Sequence, residues 1–213
     1  MEFIGEELLA YCESHSTAED DVLQSLNRET HAKVLSPRML SGHLQGQFLT
    51  FISSMLQPES ILEIGTYTGY SAICLARGLK PNGKLITIDV NDELKEMVEQ
   101  YLSKANVLDS CEVLTGDAEK IIPTLNKKFD LVFIDADKEN YLNYFEMILP
   151  KMNKGGIILS DNVLWSGKVL EPLQKNDIST KVLLEYNELL KNDPRIETVL
   201  LPIRDGLTVS RVR

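Results

Sequence analysis

Acidic and amide side chains follow two apolar runs in the second half of the sequence. The run 131–134 is followed at once by Asp135, and the run 156–159 leads into Asp161 and Asn162. Parallel strands end at the same edge of a sheet, so these three polar side chains are predicted to be neighbours. They offer only oxygen ligands, which favours a hard cation such as Mg²⁺, Mn²⁺ or Ca²⁺. The alternative is an Asp-Asn turn that opens a loop.

Lys138 lies one helical turn beyond Asp135, and we predict that it leans over the same position. A lysine whose pKa is lowered by a nearby cation can take a proton or hold an oxyanion. Without a cation, two adjacent carboxylates would repel each other, and the pKa of one would rise. The alternative for this stretch is a helix cap followed by an ordinary surface lysine.

Glycines and an acidic residue mark the end of the first predicted strand. Gly65 and Gly69 bracket a turn into a helix, where a missing side chain lets the backbone approach a ligand. The third glycine of the dinucleotide fingerprint is missing, which makes a nicotinamide dehydrogenase the weakest option. The negative charge of Glu63 would also repel a diphosphate. A cationic ligand without phosphates fits this acidic loop, and S-adenosylmethionine (SAM), with its sulfonium and ammonium groups, is one such ligand.

Two further strand ends are acidic. Asp89 ends the second strand, roughly 20–25 residues past the glycine turn, where a carboxylate can accept from both hydroxyls of a ribose. After the third strand, Asp117 and the Ala118 amide are placed to hold the amino group and a ring nitrogen of adenine. Taken singly, Glu63 is also explained as a turn residue and Asp89 as a helix cap. Together, the acidic ends on one edge favour an adenosine site.

Strands and helices alternate from residue 58 onward, and this alternation positions the strand-end residues. The predicted strands are 60–64, 84–88, 112–114, 131–134, 156–159, 196–201 and 207–212. The fifth of them is predicted to follow a Gly155-Gly156 turn. The predicted helices are 70–79, 92–105, 118–125, 141–149 and 178–191, and Asp92 is predicted to cap the second of them. Such alternation gives a mostly parallel sheet with helices on both faces, and the short link 202–206 predicts that the last two strands form an antiparallel hairpin.

The predicted fold class is therefore α/β, with a Rossmann-like, mostly parallel sheet of about seven strands that ends in the antiparallel hairpin. Residues 1–56 form a helical prefix, with apolar residues at helical spacing from Phe3, again over 20–31 and over 42–56. Residues 58–213 form the core. No repeat or linker interrupts the chain, so 1–213 is predicted to be a single domain.

Composition excludes several classes of function. The formal net charge is −10 and the isoelectric point is near 4.9, which argues against a broad nucleic-acid face and against docking on anionic membranes. The three cysteines cannot all pair within the chain and lack metal-ligand spacing, as expected for reduced residues. The first residues lack the pattern of a signal peptide, and no apolar run reaches membrane-spanning length. We therefore expect a cytoplasmic protein.

Four motifs carry a family resemblance. They are Glu-Ile-Gly-Thr-Tyr-Thr-Gly-Tyr-Ser at 63–71, Phe-Ile-Asp-Ala-Asp-Lys-Glu-Asn-Tyr at 133–141, Ser-Asp-Asn-Val-Leu-Trp at 160–165, and Asp-Pro-Arg-Ile followed by Leu-Pro-Ile-Arg-Asp-Gly within 193–206. With them, the chain from about residue 35 to the C-terminus resembles the cation-dependent, class I O-methyltransferases of the caffeoyl-CoA and catechol type. This resemblance implies SAM as methyl donor, a divalent metal ion and, as often in the caffeoyl-CoA branch, a homodimer.

The resemblance also assigns roles by position. The donor-binding residues that it implies are Met39 on the roof of the site, Glu63, Gly65, Ser71, Asp89 and Ala118. The implied metal ligands are Asp135, Asp161 and Asn162, and Lys138 matches the catalytic lysine. We add Asp117 and Asp135 to the cofactor-binding set. Asp205 matches a substrate-side aspartate, although a hairpin turn before Gly206 explains it equally well.

The implied reaction transfers a methyl group from SAM to a hydroxyl of a small, catechol-like phenol. A vicinal diol chelates the metal ion, which lowers the pKa of the reacting hydroxyl. Lys138 takes the proton or holds the oxyanion, and the oxygen attacks the sulfonium methyl in line. The alternatives are methylation of a tRNA wobble hydroxyl, which the acidic composition argues against, and a non-catalytic nucleotide-binding module.

The sequence departs from the plant members at two places near the expected substrate site. Ser166 stands where an Asn is expected after Trp165. The segment 169–181 is shorter than the plant insertion that carries an arginine in contact with acyl-CoA. These departures argue against a coenzyme A thioester as the substrate.

Overall fold

The computed structural model of the protein describes residues 4–213, so Phe3 of the predicted first helix lies outside the described residues. The chain divides into two compact units. One unit is Gly5–Asp117, and the other comprises residues 118–213 together with Ile4. The predicted strand-end residues fall in both units.

The first unit places a small parallel sheet among helices. Its helices are α1 (Glu6–Ser14), α2 (Asp21–Lys33), α3 (His43–Leu56), α4 (Tyr70–Ala76) and α5 (Lys95–Lys104). Its strands are β1 (Ser60–Ile64), β2 (Lys84–Asp89) and β3 (Cys111–Thr115). β2 pairs in parallel with both β1 and β3. The apolar residues of β1 and β2 are buried, as expected for strands that are covered on both faces.

The second unit combines parallel and antiparallel pairs. Its helices are α6 (Ala118–Ile121), α7 (Tyr141–Ile148) and α8 (Ile178–Asn192). Its strands are β4 (Phe129–Ile134), β5 (Met152–Asp161), β6 (Ile196–Leu201) and β7 (Leu207–Val212). β4 and β5 are parallel, whereas β7 is antiparallel to both β5 and β6. The predicted C-terminal hairpin is therefore confirmed.

Within residues 4–213, the strands follow the order β3-β2-β1-β4-β5-β7-β6 in a sheet of seven. This order confirms the predicted Rossmann-like fold, with a parallel core, an antiparallel C-terminal hairpin, surrounding helices and a helical N-terminal region. In the described part of the chain, none of the helices combines the length and apolar character needed to cross a bilayer.

Two local differences from the predicted elements have simple causes. Asp92 was expected to cap a helix over 92–105, but the cap is Asn91, whose side chain accepts from the Glu93 N–H at 3.0 Å, and a 3-10 turn precedes α5. Gly155 and Gly156 were expected to form a turn before the fifth strand. They lie inside β5, at a register shift between Phe129 and Leu131 of β4, so the glycine pair marks an irregularity within a longer strand.

Candidate functional site

Glu63 is a fully buried carboxylate near the end of β1. The Thr87 hydroxyl donates to Glu63 Oε2 at 2.5 Å, and the hydroxyls of Thr66 and Thr87 are also 2.5 Å apart. A threonine hydroxyl has one proton, and that of Thr87 is directed to the carboxylate, so Thr66 is the donor to Thr87. The chain of hydroxyls fixes the orientation of Glu63 and stabilises its negative charge.

Asp89 is held by two backbone donors at the end of β2. The Tyr67 N–H donates to Asp89 Oδ2 at 2.7 Å, and the Asn91 N–H donates to Oδ1 at 2.9 Å. Each carboxylate oxygen has capacity for a further donor, such as a ligand hydroxyl. The side chain therefore has the fixed position and the acceptor capacity that recognition of a diol requires.

Backbone hydrogen bonds continue beyond the paired residues and join the ends of the three strands. The Gly65 N–H donates to the Ile88 carbonyl at 2.9 Å, and the Gly116 N–H donates to the Asp89 carbonyl at 2.8 Å. Asp89 is paired with Thr115 in the register of β2 and β3. These contacts bring three predicted acidic residues to one edge of the first unit: Glu63, Asp89 and Asp117.

The remaining donor-side predictions have varied surroundings. Ser71 is buried in α4, and Ala118 is buried at the start of α6. Met39 is 57% exposed and lies in a 3-10 turn. The Tyr67 hydroxyl donates to the Leu35 carbonyl at 3.1 Å and fastens the segment that leads to this turn. The donor-binding roles of these residues stay predictions.

In the second unit, the register of β4 and β5 brings two predicted metal ligands to one edge. Ile134 is paired with Ser160, so Asp135 and Asp161 each occupy the position after a paired residue. Asp161 is 1% exposed, and its Oδ1 accepts from the Asn162 N–H at 2.8 Å. Asn162 has a φ of 58°, a left-handed conformation that asparagine tolerates better than most residues.

This ligand set fits a hard divalent cation by its chemistry, because it consists of two carboxylates and one amide carbonyl. Among the residues described, no three or more His, Cys, Asp or Glu side chains are grouped as a metal site. The predicted set contains only two residues of those types, Asp135 and Asp161, so its third oxygen has to come from Asn162. Its assignment as a metal site remains a prediction.

Lys138 is buried at the predicted position. Its Nζ lies 3.3 Å from Asp135 Oδ1 and donates to the Tyr141 hydroxyl at 2.5 Å. The Tyr141 hydroxyl in turn donates to the Asp161 carbonyl at 2.8 Å. Burial raises the pKa of Tyr141 well above its ordinary value, so this residue is a neutral phenol. A single tyrosine therefore connects the lysine to the end of β5.

The segment that follows Asn162 is tied to the turn before β7. The Gly206 carbonyl accepts from the Val163 N–H at 3.2 Å, and the Asp205 carbonyl accepts from the Leu164 N–H at 2.9 Å. Asp205 Oδ1 accepts from the Ser166 N–H at 2.5 Å. Burial raises the pKa of the Asp205 carboxyl, and the Ser166 N–H opposes this shift. These contacts support a structural role for Asp205 in the turn.

Sequence reasoning did not find Tyr141 or the two threonines that support Glu63. Tyr141 follows Lys138 by one helical turn, and this spacing was a usable signal for a contact. Thr87 is paired with Glu63 in the register of β1 and β2, and Thr66 lies two residues beyond the end of β1, so no local pattern links the three side chains.

The order and direction of the strands are those of the class I, Rossmann-like methyltransferase fold. The model of the O-methyltransferase family matches residues 13–213, and the chain belongs to this family. It is a SAM-dependent O-methyltransferase, which confirms the family resemblance seen in the motifs.

Relatives and solved structures agree with this assignment. The chain is 37% identical over 194 residues to caffeoyl-CoA O-methyltransferase 1 of Eucalyptus globulus, covering 86% of this chain and 79% of that protein. It is 36% identical over 195 residues to caffeoyl-CoA O-methyltransferase 5 of Nicotiana tabacum, covering 86% and 81%. Among solved structures, the O-methyltransferase of Bacillus cereus in complex with SAH superposes with a TM-score of 0.90 at 30% identity, covering 97% of both chains. TomG of Streptomyces achromogenes in complex with SAM gives 0.88 at 30% identity, covering 97% and 96%.

Proposed function

We propose that the protein transfers a methyl group from SAM to one hydroxyl of a small, catechol-like phenol, with a divalent cation as cofactor. One observation carries this proposal. Lys138 is buried against Asp135, and the neighbouring strand β5 ends at Asp161, which Asn162 follows directly. A buried lysine next to an all-oxygen ligand set is the arrangement that deprotonation and alkylation of a hydroxyl require.

The donor side of the proposal rests on the first unit. Glu63 and Asp89 are fixed carboxylates, suited to the ammonium group and the ribose hydroxyls of SAM. Gly65 lets the backbone approach the donor, and Asp117 and Ala118 recognise the adenine. Met39 and Ser71 are the remaining residues that we assign to the binding of SAM. Because no repeat or linker interrupts the alternating strands and helices, we propose that residues 1–213 act as one catalytic domain.

On the acceptor side, we assign the cation to Asp135, Asp161 and Asn162. When bound, a divalent cation lowers the pKa of a diol hydroxyl and neutralises the charge of the two carboxylates. Lys138 accepts the proton of the reacting hydroxyl or stabilises the oxyanion through its Nζ. Asp135 keeps the Nζ at this position through their contact of 3.3 Å.

The names of the relatives support a phenolic acceptor, since the plant proteins are caffeoyl-CoA O-methyltransferases. We propose a free catechol in place of the coenzyme A thioester, because the segment 169–181 is short in this sequence. Leu170 and Leu173 in this segment are 87% and 47% exposed. These apolar side chains suit an aromatic acceptor better than the charged part of coenzyme A.

The experiment that tests the proposal measures transfer of labelled methyl groups from SAM to catechol, caffeoyl-CoA and bulk tRNA. We expect transfer to catechol that stops in excess chelator and returns with Mg²⁺ or Mn²⁺. Asp161→Asn is expected to lower transfer about 100-fold or more, because it removes a charged oxygen ligand. The matched control, Asp109→Asn at an exposed position, keeps full activity. Full catechol methylation in excess chelator contradicts metal dependence, and preferential labelling of tRNA contradicts the substrate class.

We also propose a homodimer. Phe51 and Met55 are 59% and 71% exposed and lie four residues apart, on one face of α3. An exposed apolar face of this kind is typical of an interface between subunits. Sedimentation of Met55→Lys tests this assignment, with Val199→Lys, which changes an exposed apolar residue of β6, as the matched control. Dissociation is expected only for the α3 variant, and a monomeric unmodified protein contradicts the proposal.

Finally, we propose that the protein works in the cytoplasm. Cys12, Cys74 and Cys111 are free thiols, and burial raises the pKa of the Cys74 and Cys111 thiols to about 12. Thiols of this kind fit a reducing compartment. Fractionation of cells that express the protein tests the location directly.

A further inference from the structure

Tyr141 occupies a buried position between two groups that the proposed reaction uses. It is fully buried at the start of α7. Its hydroxyl lies 2.5 Å from Lys138 Nζ and 2.8 Å from the Asp161 carbonyl, and the carbonyl of Ile134, the last residue of β4, lies 3.3 Å away. The phenol oxygen therefore touches the lysine and the main chain at the ends of both β4 and β5.

The direction of these hydrogen bonds follows from the groups involved. A carbonyl oxygen can only accept, so the single proton of the Tyr141 phenol is directed to the main chain of Asp161. The phenol oxygen then has lone pairs for a donor, and the N–H of Lys138 supplies one. Tyr141 has no second proton to pass on. The geometry therefore fits a residue that fixes the position of the lysine and does not fit one that relays protons.

The ring of Tyr141 is held from the other side. Tyr186 of α8 meets it edge to face, with the ring centroids 5.4 Å apart. The Tyr186 hydroxyl lies 2.6 Å from the Ser160 hydroxyl on β5. Both rings are fully buried, so Tyr141 cannot swing away from Lys138 without displacing α8 or opening a cavity.

We propose that Tyr141 is a positioning residue, whose hydroxyl holds Lys138 Nζ at a fixed place relative to Asp135 and the end of β5. The inference rests on the proposed function in one respect, namely that Lys138 acts on the acceptor hydroxyl. A buried lysine on a flexible four-carbon stem would otherwise reach several rotamers. The contact with the Tyr141 phenol, in addition to that with Asp135, restricts Lys138 Nζ to one position. A displacement of a catalytic group by about 1 Å lowers a reaction rate about 100-fold.

The first test needs neither metal nor donor. The full chain, in chelator, is treated with an amine-acylating reagent, and the labelling rate of each lysine is followed by mass spectrometry. We expect Lys138 to be labelled far more slowly than Lys181, which is 62% exposed. Tyr141→Phe is expected to raise the labelling rate of Lys138 at least several-fold. Tyr186→Phe is the matched control: it also removes one buried, hydrogen-bonded phenol hydroxyl, but one without contact to the lysine, and it leaves the rate unchanged.

The second test is kinetic. Tyr141→Phe is expected to lower kcat about 10- to 100-fold, with KM for SAM unchanged, because the donor residues are untouched. Tyr186→Phe keeps kcat within about twofold. In the Lys138→Met background, Tyr141→Phe is expected to cause no further loss, since a residue that acts through the lysine has no effect once the lysine is gone.

Each result bears on the proposal. Equal labelling of Lys138 in the unmodified protein and in Tyr141→Phe overturns it, as does an equal loss of kcat in both Phe variants. If Tyr141→Phe does not fold, the unmodified protein still provides a test, because labelling of Lys138 as fast as that of Lys181 overturns the proposal. Absence of methyl transfer in the unmodified protein contradicts the proposed function, while the labelling comparison decides the contact between Tyr141 and Lys138 independently.

Discussion

Replacement of Gly206 by alanine tests whether the turn before β7 supports the segment after Asn162. Gly206 has a φ of +88°, and an added Cβ would lie 2.9 Å from both the Cβ and the backbone N of Leu164, with the Leu164 Cγ closer still. Two of these atoms are not the flexible end of a side chain. The substitution therefore forces the Leu164 backbone to move, and it breaks the support that Gly206 and Asp205 give to residues 163–166.

The expected loss of stability has two parts. A left-handed conformation costs an alanine about 1–2 kcal/mol, and overpacking of a filled position costs about 1–3 kcal/mol. We therefore expect Gly206→Ala to lower the free energy of unfolding by about 2–5 kcal/mol. Gly155→Ala is the matched control. Gly155 has a φ of +79°, but the nearest atom to its added Cβ is Arg211 Nη2 at 3.8 Å. For Gly155→Ala we therefore expect the free energy of unfolding to fall only by the cost of the left-handed conformation, about 1–2 kcal/mol.

Urea denaturation measures both variants against the unmodified protein, with the slope of the transition compared to check that the unfolded state is unchanged. The difference between the variants isolates the contact with Leu164. A titration with Mn²⁺ then measures the effect on the proposed metal site, and we expect weaker binding only for Gly206→Ala, because Asn162 lies two residues before Leu164. Equal destabilisation of the two variants would refute the steric argument.

Three further predictions concern carboxyl groups that are buried or partly buried. Thr87→Val removes the donor to Glu63 and is expected to lower the free energy of unfolding by about 1.5–3 kcal/mol and to weaken SAM binding; calorimetry showing unchanged affinity would contradict the role of this contact. The Arg195 guanidinium, which donates to the Asp193 carboxylate, lowers the pKa of Asp193, so the pair stabilises the fold above the unfolded pKa and the contribution is lost as the pH falls. Asp193→Asn should therefore destabilise by about 1–3 kcal/mol at pH 7 and by less below about pH 4, as urea denaturation at both pH values will measure; an equal loss at both speaks against the ion pair. Burial raises the pKa of Asp205, so its ionised form is disfavoured in the folded state. Asp205→Asn keeps an acceptor oxygen but carries no charge, so urea denaturation should show this variant to be more stable than the unmodified protein at pH 7. The difference in stability should disappear in acid, where the Asp205 carboxyl is protonated in both the folded and the unfolded state. If the extra stability of Asp205→Asn increased as the pH fell, the argument from a raised pKa would be refuted.

The strand ends were predictable because they rest on local patterns. Apolar runs that stop at Asp89, Asp135 and Asp161 predicted three of the observed strand ends, and parallel pairing predicted that Asp135 and Asp161 share an edge. Gly155 and Gly156 misled the prediction because a glycine pair is equally suited to a turn and to an irregularity inside a strand.

Contacts between side chains that only the fold brings together could not be predicted from the sequence. The hydroxyl chain from Thr66 through Thr87 to Glu63 depends on the register of two strands. The contact between Tyr141 and the Asp161 carbonyl joins a helix to a strand end 20 residues away. Neither residue type nor periodicity encodes such a pairing, because several polar residues near each strand end were equally plausible partners.

The division of the predicted site residues along the chain has an evolutionary consequence. Most residues that we assign to the methyl donor lie before residue 118, whereas the proposed metal ligands and the segment 169–181 lie after it. After gene duplication, one copy can therefore diversify its C-terminal half and acquire new acceptor alcohols while inheriting donor recognition intact. Homologues that differ mainly in this half are the expected outcome of such a history.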